Sequence, residues 1–240
     1  VPVFKVRDII KKNNVYVYST NFSLYGDMSS RVMNILQGFV PKVEIYSIDE
    51  AFLELDSLKE HYDLYDFSCH IRGLVKQWTG VPVRIGIAST KTLTKIALNE
   101  AKRLNVSTNV YQISTIKDIR NALFHTPVHE VWGVGRRLSE HLNKAKIINA
   151  LQLADVDPRY IKRKFSVVLE RTVRELRGQR CLNIENNITA KKQIVVSRSF
   201  GTKITDLKAL KPIVSNFAVR ASEKLRDEKQ KCSQVSVFVR

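Results

Sequence analysis

"EIYSIDEAFLEL", residues 44–55, sets two adjacent carboxylates, Asp49 and Glu50, in the middle of an otherwise apolar, strand-like run. Burying charge is costly unless it is paired or holds a metal. The pair therefore marks either a solvated turn between two strands or a working site. Gly, Asn and Pro, the residues that usually make tight turns, are missing from this stretch, and the apolar flanks on both sides favour a working site. Adjacent acidic side chains at a strand junction suit hard cations such as Mg²⁺, which bind through carboxylates and substrate phosphates. Two such ions can serve phosphoryl transfer.

Outward from this stretch the pattern alternates between strand and helix. "NVYVYST" (14–20) reads as a strand, and Met28, Val32, Ile35 and Phe39 fall at helical spacing. Phe67, Ile71, Leu74, Val75 and Trp78 form a second helical face. "VPVRIGIAS" alternates as a strand, a helix is expected from Lys91 to Leu104, and "NVYQI" closes the series. The order β-α-ββ-α-β-α-β predicts one sheet with helices on one face, of the split βαβ (ferredoxin-like) kind. From Ser114 to Gly178 the chain is helical and basic, "NIENNITAKKQ" (183–193) reads as a linker, and "IVVSRSF", a helix and "VSVFVR" suggest a further α/β unit.

The chain has 240 residues, 44% hydrophobic, and carries 40 Lys and Arg against 23 Asp and Glu, a net charge of +17. A polyanionic partner is the natural expectation, beside the plainer possibility of a merely basic protein. Cys69, Cys181 and Cys232 are far apart and form no CxxC pair, which suggests a reduced, intracellular compartment. No apolar run approaches membrane-spanning length, and no membrane partner is expected. The chain opens on Val1 and stops within a strand-like run, which suggests a piece of something longer.

Two more stretches carry chemistry. In "GIASTKTLTKIA" (86–97), Ser89 and Thr90 offer capping hydroxyls, and Lys91 and Lys95 project from the first turns of a helix. Helix N-termini bind phosphate through free N–H groups and the dipole. The second glycine of a Walker A loop is missing, and a solvent-facing basic helix remains the alternative. In "VHEVWGVGRRLSEHLNKAKI" (128–147), Gly133 and Gly135 form a hairpin, with Val131, Val134, Leu138 and Leu142 packing two short helices around it. The helix that follows opens with Arg136 and Arg137, cations that oppose its dipole and call for an external anion. Such a helix-hairpin-helix grips nucleic-acid backbone without reading sequence; an ordinary αα-hairpin is the alternative. His125 and His129 flank Pro127 and do not make a helical metal pair.

Taken together, "YSIDEAFLEL", "GIASTKTLTKIA" and "VWGVGRRLSEHL" closely resemble the palm and thumb of Y-family lesion-bypass DNA polymerases, most of all the UmuC-type catalytic subunits. The likeness continues through "FSVVLERTVRELRG" and "SRSFGTKITD…AVRASEKLR", so it covers essentially the whole chain. It implies an α/β multi-domain protein: a remnant of the fingers (1–12), a palm (13–105), a helical thumb with a helix-hairpin-helix (106–182), a linker (183–193) and a partial little finger (194–240). It also implies that Asp49 and Glu50 are catalytic carboxylates at a two-magnesium site, that Lys91 contacts the phosphates of the incoming deoxynucleoside triphosphate, and that Gly133, Gly135, Arg136 and Arg137 hold DNA.

The partners implied are damaged DNA or primer–template, deoxynucleoside triphosphates, a UmuD-type dimer and a recombinase filament, in a cytoplasmic, nucleoid-associated setting. The family's further metal-binding aspartate, its ribonucleotide-excluding aromatic residue and its fingers contacts would lie upstream of Val1. Asp27 sits in a helix-start context and does not replace that aspartate, and Glu54 stands where the family commonly has aspartate. The expectation is a chain that binds DNA and polymerises poorly. The rivals are a non-catalytic DNA-binding remnant that occupies damaged sites or sequesters partners, and a nucleotide cyclase, against which the hairpin after the palm argues.

Overall fold

The computed structural model describes residues 2–185 and 192–239. The chain divides into two compact units, Val1–Asn186 and Asn187–Arg240. The segment expected to link domains, 183–193, lies partly outside the described residues.

In the first unit, a short helix α1 (Arg7–Lys12) precedes α2 (Phe22–Phe39), which Asn21 caps by accepting from Leu24 N–H. The helical spacing noted above gives α2 an apolar stripe. Val32 on that stripe packs with Ile71 and Val75 of α3 (Leu64–Thr79) and with Ile35, Leu36, Phe39 and Phe67 around them. Asp63 caps α3, and Gly80 ends it at φ 74°, a left-handed conformation that favours glycine.

Between the helices, β1 (Val43–Ile45) and β2 (Ala51–Leu53) form an antiparallel hairpin in the register Val43↔Leu53, Glu44↔Phe52, Ile45↔Ala51. A second pair, β3 (Ile85–Ile87) and β4 (Val110–Gln112), is parallel. Parallel neighbours need a crossover, which α4 (Lys91–Arg103) supplies. The helix lies so close to β3 that a Cβ on Gly86 would stand 2.4 Å from the Thr94 carbonyl oxygen; only glycine fits there.

Beyond β4 the first unit is helical: α5 (Ile116–His125), α6 (Arg136–Lys144), α7 (Ala150–Asp155), α8 (Pro158–Lys164) and α9 (Val167–Leu176). A single core unites Leu93, Ile96 and Ala97 of α4 with Leu123, Val131, Leu142, Leu153, Ile161 and Leu176. The second unit contains α10 (Leu207–Asp227), capped by Asp206. Leu210, Ile213, Val214, Phe217, Ala221 and Leu225 form its less exposed stripe.

Several expectations change. Residues 14–20 form no strand, and Val15, Tyr16, Val17 and Tyr18 all stand exposed. The expected single sheet is instead two separate two-stranded sheets, with only Ile85–Ile87 of "VPVRIGIAS" in a strand. β4 pairs with β3 across the expected boundary at 105/106. Neither "IVVSRSF" nor the described part of "VSVFVR" forms a strand. Alternating apolar residues make a strand only where a neighbouring strand completes the ladder, and the sequence pattern cannot reveal whether one does. The first helix of the expected helix-hairpin-helix is a 3₁₀ turn, Val128–Glu130, before the glycine hairpin.

Candidate functional site

The β1–β2 hairpin places Asp49 and Glu50 in its connection, closed by Tyr46 and Ser47 N–H groups that donate to the Glu50 carbonyl. Asp49 is exposed, and its Oδ1 accepts from Ser47 Oγ at 2.6 Å. Among the described residues no cation lies in ion-pair range of Asp49. Glu50 is half-buried and pairs with Lys95 Nζ at 2.6 Å. The pair is therefore both a turn and a cluster of charge, with the two neighbours treated differently.

Period-two geometry puts Glu44, Tyr46 and the cross-strand partner Phe52 on one face of the hairpin. That face meets the start of α4. Lys91, 8% exposed, donates to Glu44 Oε2 at 2.5 Å and stands over the Phe52 ring at 5.2 Å. Lys95 stands over the rings of Tyr46 and Phe52 at 5.1 and 5.3 Å. A lysine over an aromatic face is attracted by the ring quadrupole. Glu44 Oε2 also accepts from Glu185 N–H at 2.7 Å. The two lysines thus hold the hairpin to the helix, a role that neither stretch of sequence suggests when read separately.

The N-terminus of α4 is not open. Thr90, the N-cap, accepts from Leu93 N–H, while the fully buried Glu175 of α9 accepts from Thr92 N–H at 3.0 Å and Thr92 Oγ1 at 2.8 Å. The second oxygen of Glu175 accepts from Cys181 and Leu182 N–H, and its carbonyl accepts from Thr90 Oγ1. A carboxylate is a favourable occupant of a helix N-terminus. The expectation of free N–H groups here is narrowed: the internal carboxylate takes the Thr92 N–H and the Thr90 hydroxyl takes that of Leu93. Glu175 carries no sequence signal, because a glutamate next to the apolar stripe of an amphipathic helix reads as solvated. Nearby, burial pushes the Cys181 thiol above its ordinary pKa, with the Glu175 charge adding to the effect.

In the glycine hairpin Gly133 sits at φ 87°, and Gly135 precedes α6 as its N-cap, with no side-chain cap bond and no acidic residue in the first turn. Arg136 and Arg137 are exposed, Arg136 pairing only along the helix with Glu140 at 3.1 Å. Val131, Val134 and Leu142 are buried beneath them. Trp132, which carries no signal in the sequence, reaches back to the carboxylate hairpin: its Nε1 donates to Tyr46 Oη at 3.1 Å, and its ring lies 5.4 Å from Tyr46 and 5.6 Å from Phe52.

Among the described residues, no group of three or more His, Cys, Asp or Glu side chains is arranged to hold a metal ion. Glu44 and Glu50 are committed to lysines, and Asp49 has Ser47 as its partner. These residues do not by themselves make the two-magnesium site that the resemblance implies. No described helix is long and apolar enough to cross a membrane.

The fold is that of Y-family DNA polymerases: a Y-family DNA polymerase chimera superposes with a TM-score of 0.71 at 19% identity, over 93% of this chain and 63% of that one. The chain belongs to the impB/mucB/samB family, whose profile matches residues 1–99 and whose C-terminal-domain profile matches residues 191–240. It is 47% identical to Protein UmuC of Salmonella typhimurium over its whole length, covering 57% of that protein. It is 26% identical to DNA polymerase IV of Clostridium acetobutylicum over 95% of this chain and 56% of the other. The chain thus spans a little over half the length of these relatives.

Proposed function

We propose that this chain supplies the palm, the helical thumb and the first part of the little finger of a template-directed, lesion-bypass DNA polymerase. The change from strand-bearing palm to helical thumb falls after β4. The reaction joins a primer 3′-oxygen to the α-phosphorus of a deoxynucleoside triphosphate and breaks the bond to the departing pyrophosphate. One observation carries the reading: the carboxylate hairpin, the lysine-bearing start of α4 and the glycine hairpin of α6 are joined through Lys91, Lys95 and Trp132.

In this reading, Gly133 and Gly135 let DNA backbone approach, and Arg136 and Arg137 neutralise its phosphates. Lys91 and Lys95 meet the triphosphate by exchanging their present carboxylate partners for phosphate oxygens. Asp49 and Glu50 remain the proposed catalytic carboxylates, Asp49 being the one without an internal cation. The UmuD-type dimer, the recombinase filament and the nucleoid-associated setting rest on the resemblance alone.

The test is primer extension on an undamaged primer–template with Mg²⁺, with Asp49→Ala alongside. Extension that disappears in the variant supports the proposal, and extension that survives undiminished overturns the role of Asp49. Salt-sensitive DNA binding without extension in either protein is what both an impaired polymerase and the rival, a non-catalytic DNA-binding module, predict.

A further inference from the structure

Trp132 and Tyr46 are 86 residues apart, yet the indole N–H donates to the phenol oxygen at 3.1 Å with the rings edge to face at 83°. Phe52, buried, completes the cluster from the facing strand. Lys95 covers the Tyr46 and Phe52 rings and ends on Glu50, the neighbour of Asp49. On the other side, Trp132 is followed at once by Gly133 at φ 87° and then by the exposed Arg136 and Arg137. The indole thus joins the glycine turn directly to the carboxylate hairpin.

The hairpin is short. Its strands are three residues each, and it pairs with no other strand among the described residues. An isolated two-stranded hairpin is marginal in water, so its position is set by side chains: the two lysine ion pairs, the buried Phe52, the Glu185 N–H on Glu44, the pairs from Arg180 to Glu54 and Asp56, and the indole. We propose that Trp132 is a positioning residue that fixes the Asp49–Glu50 connection and passes the state of the phosphate-gripping turn to it. The relay rests on the DNA-binding reading above; the positioning does not. When backbone phosphate engages Arg136 and Arg137 and steadies the turn, Trp132 steadies Tyr46, and the carboxylates stiffen with it. Ordering of one site by a ligand at another is a coupling of the kind conformational entropy allows.

Hydrogen exchange on the full chain, read by peptide mass, tests both parts. Trp132→Phe keeps a ring and loses the N–H; Tyr46→Phe keeps the ring and loses the hydroxyl. Without DNA, each variant speeds exchange across residues 43–53 by about fivefold, the worth of one hydrogen bond. The double variant adds nothing further, because both changes remove the same bond, and α9 exchanges as before. With primer–template added at low salt, the wild-type protein slows at residues 131–137 and at 43–53; in either variant the slowing persists at the turn and vanishes at the hairpin. Unchanged exchange at 43–53 without DNA, or effects that add in the double variant, would overturn the positioning role. Hairpin protection by DNA that survives both variants would overturn the relay. If DNA fails to protect the turn of the wild-type protein, the DNA-binding reading falls and the relay with it, while the DNA-free arm still decides the positioning role.

Discussion

Two helices of this protein open in the same way on paper and differently in space. Both α4 and α6 follow a glycine-bearing stretch and begin with cations that oppose the helix dipole: Lys91 and Lys95 in one, Arg136 and Arg137 in the other. At α4 the terminus is closed by the Glu175 carboxylate, and the lysines are turned inward to Glu44 and Glu50. At α6 no side chain caps the terminus, and the arginines face solvent. The same sequence signal is an internal fastening in the first case and an uncapped, solvent-facing end in the second. A third helix start, α5, shows the purely local solution. There Thr115 and Asp118 cap one another in a reciprocal box, and the hydrogen bonds from Thr115 hold the Asp118 carboxyl below its ordinary pKa.

The comparison can be broken most severely at Glu175. Glu175→Ala leaves the buried Thr92 donors and the half-buried Cys181 and Leu182 N–H groups without partners, and unfolding in denaturant should show a loss of about 3 kcal/mol or more. A loss below about 1 kcal/mol would mean that water replaces the carboxylate. Gly133→Ala should cost about 1–2 kcal/mol through its left-handed backbone and should also weaken DNA binding, because the turn that aims Arg136 shifts.

Smaller in stability but sharper in meaning, Thr115→Ala at α5 should cost about 1 kcal/mol, the usual worth of an N-cap. The sign of its pH dependence follows from the lowered pKa of Asp118. The stabilisation is fully present above the unfolded-state value and is lost as pH falls through the lower folded-state value. The difference between wild type and Thr115→Ala should therefore shrink on acidification below pH about 4, and a difference that grows would refute the box.

At α6 the effect on stability should be lost in scatter. Arg136→Ala and Arg137→Ala should leave the unfolding midpoint unchanged. Each should flatten the log–log salt dependence of DNA binding by about one unit, the share of a single neutralised phosphate. An unchanged slope would make α6 as inward-looking as α4.

The local features were the legible ones. The apolar stripes of α2 and α3 follow from side chains three and four apart, and the β1–β2 hairpin, with Asp49 and Glu50 at its connection, follows from two apolar halves meeting at a polar pair. Gly133 was readable as a backbone device because few other residues accept its left-handed geometry, whereas Gly135 has an ordinary extended backbone. The strands expected at 14–20 and in the second unit failed for the opposite reason. Val15 and Val17, like Val235 and Val237, alternate as strand residues do, but alternation carries no information about a ladder partner.

What the sequence by itself determined is therefore what near neighbours decide: helix faces, the Thr90 cap of α4, the positive-φ glycine of the α6 turn, and the family to which the motifs point. What only the tertiary structure decided is where each charge goes. Glu175 lies 83 residues from Thr92, and Lys91 lies 47 from Glu44. A carboxylate or ammonium costs little in water and much in a core, so its role depends on which distant groups surround it after folding. Lys91 and Arg136 are alike in sequence context, and the fold alone makes one an inner tie and leaves the other facing out.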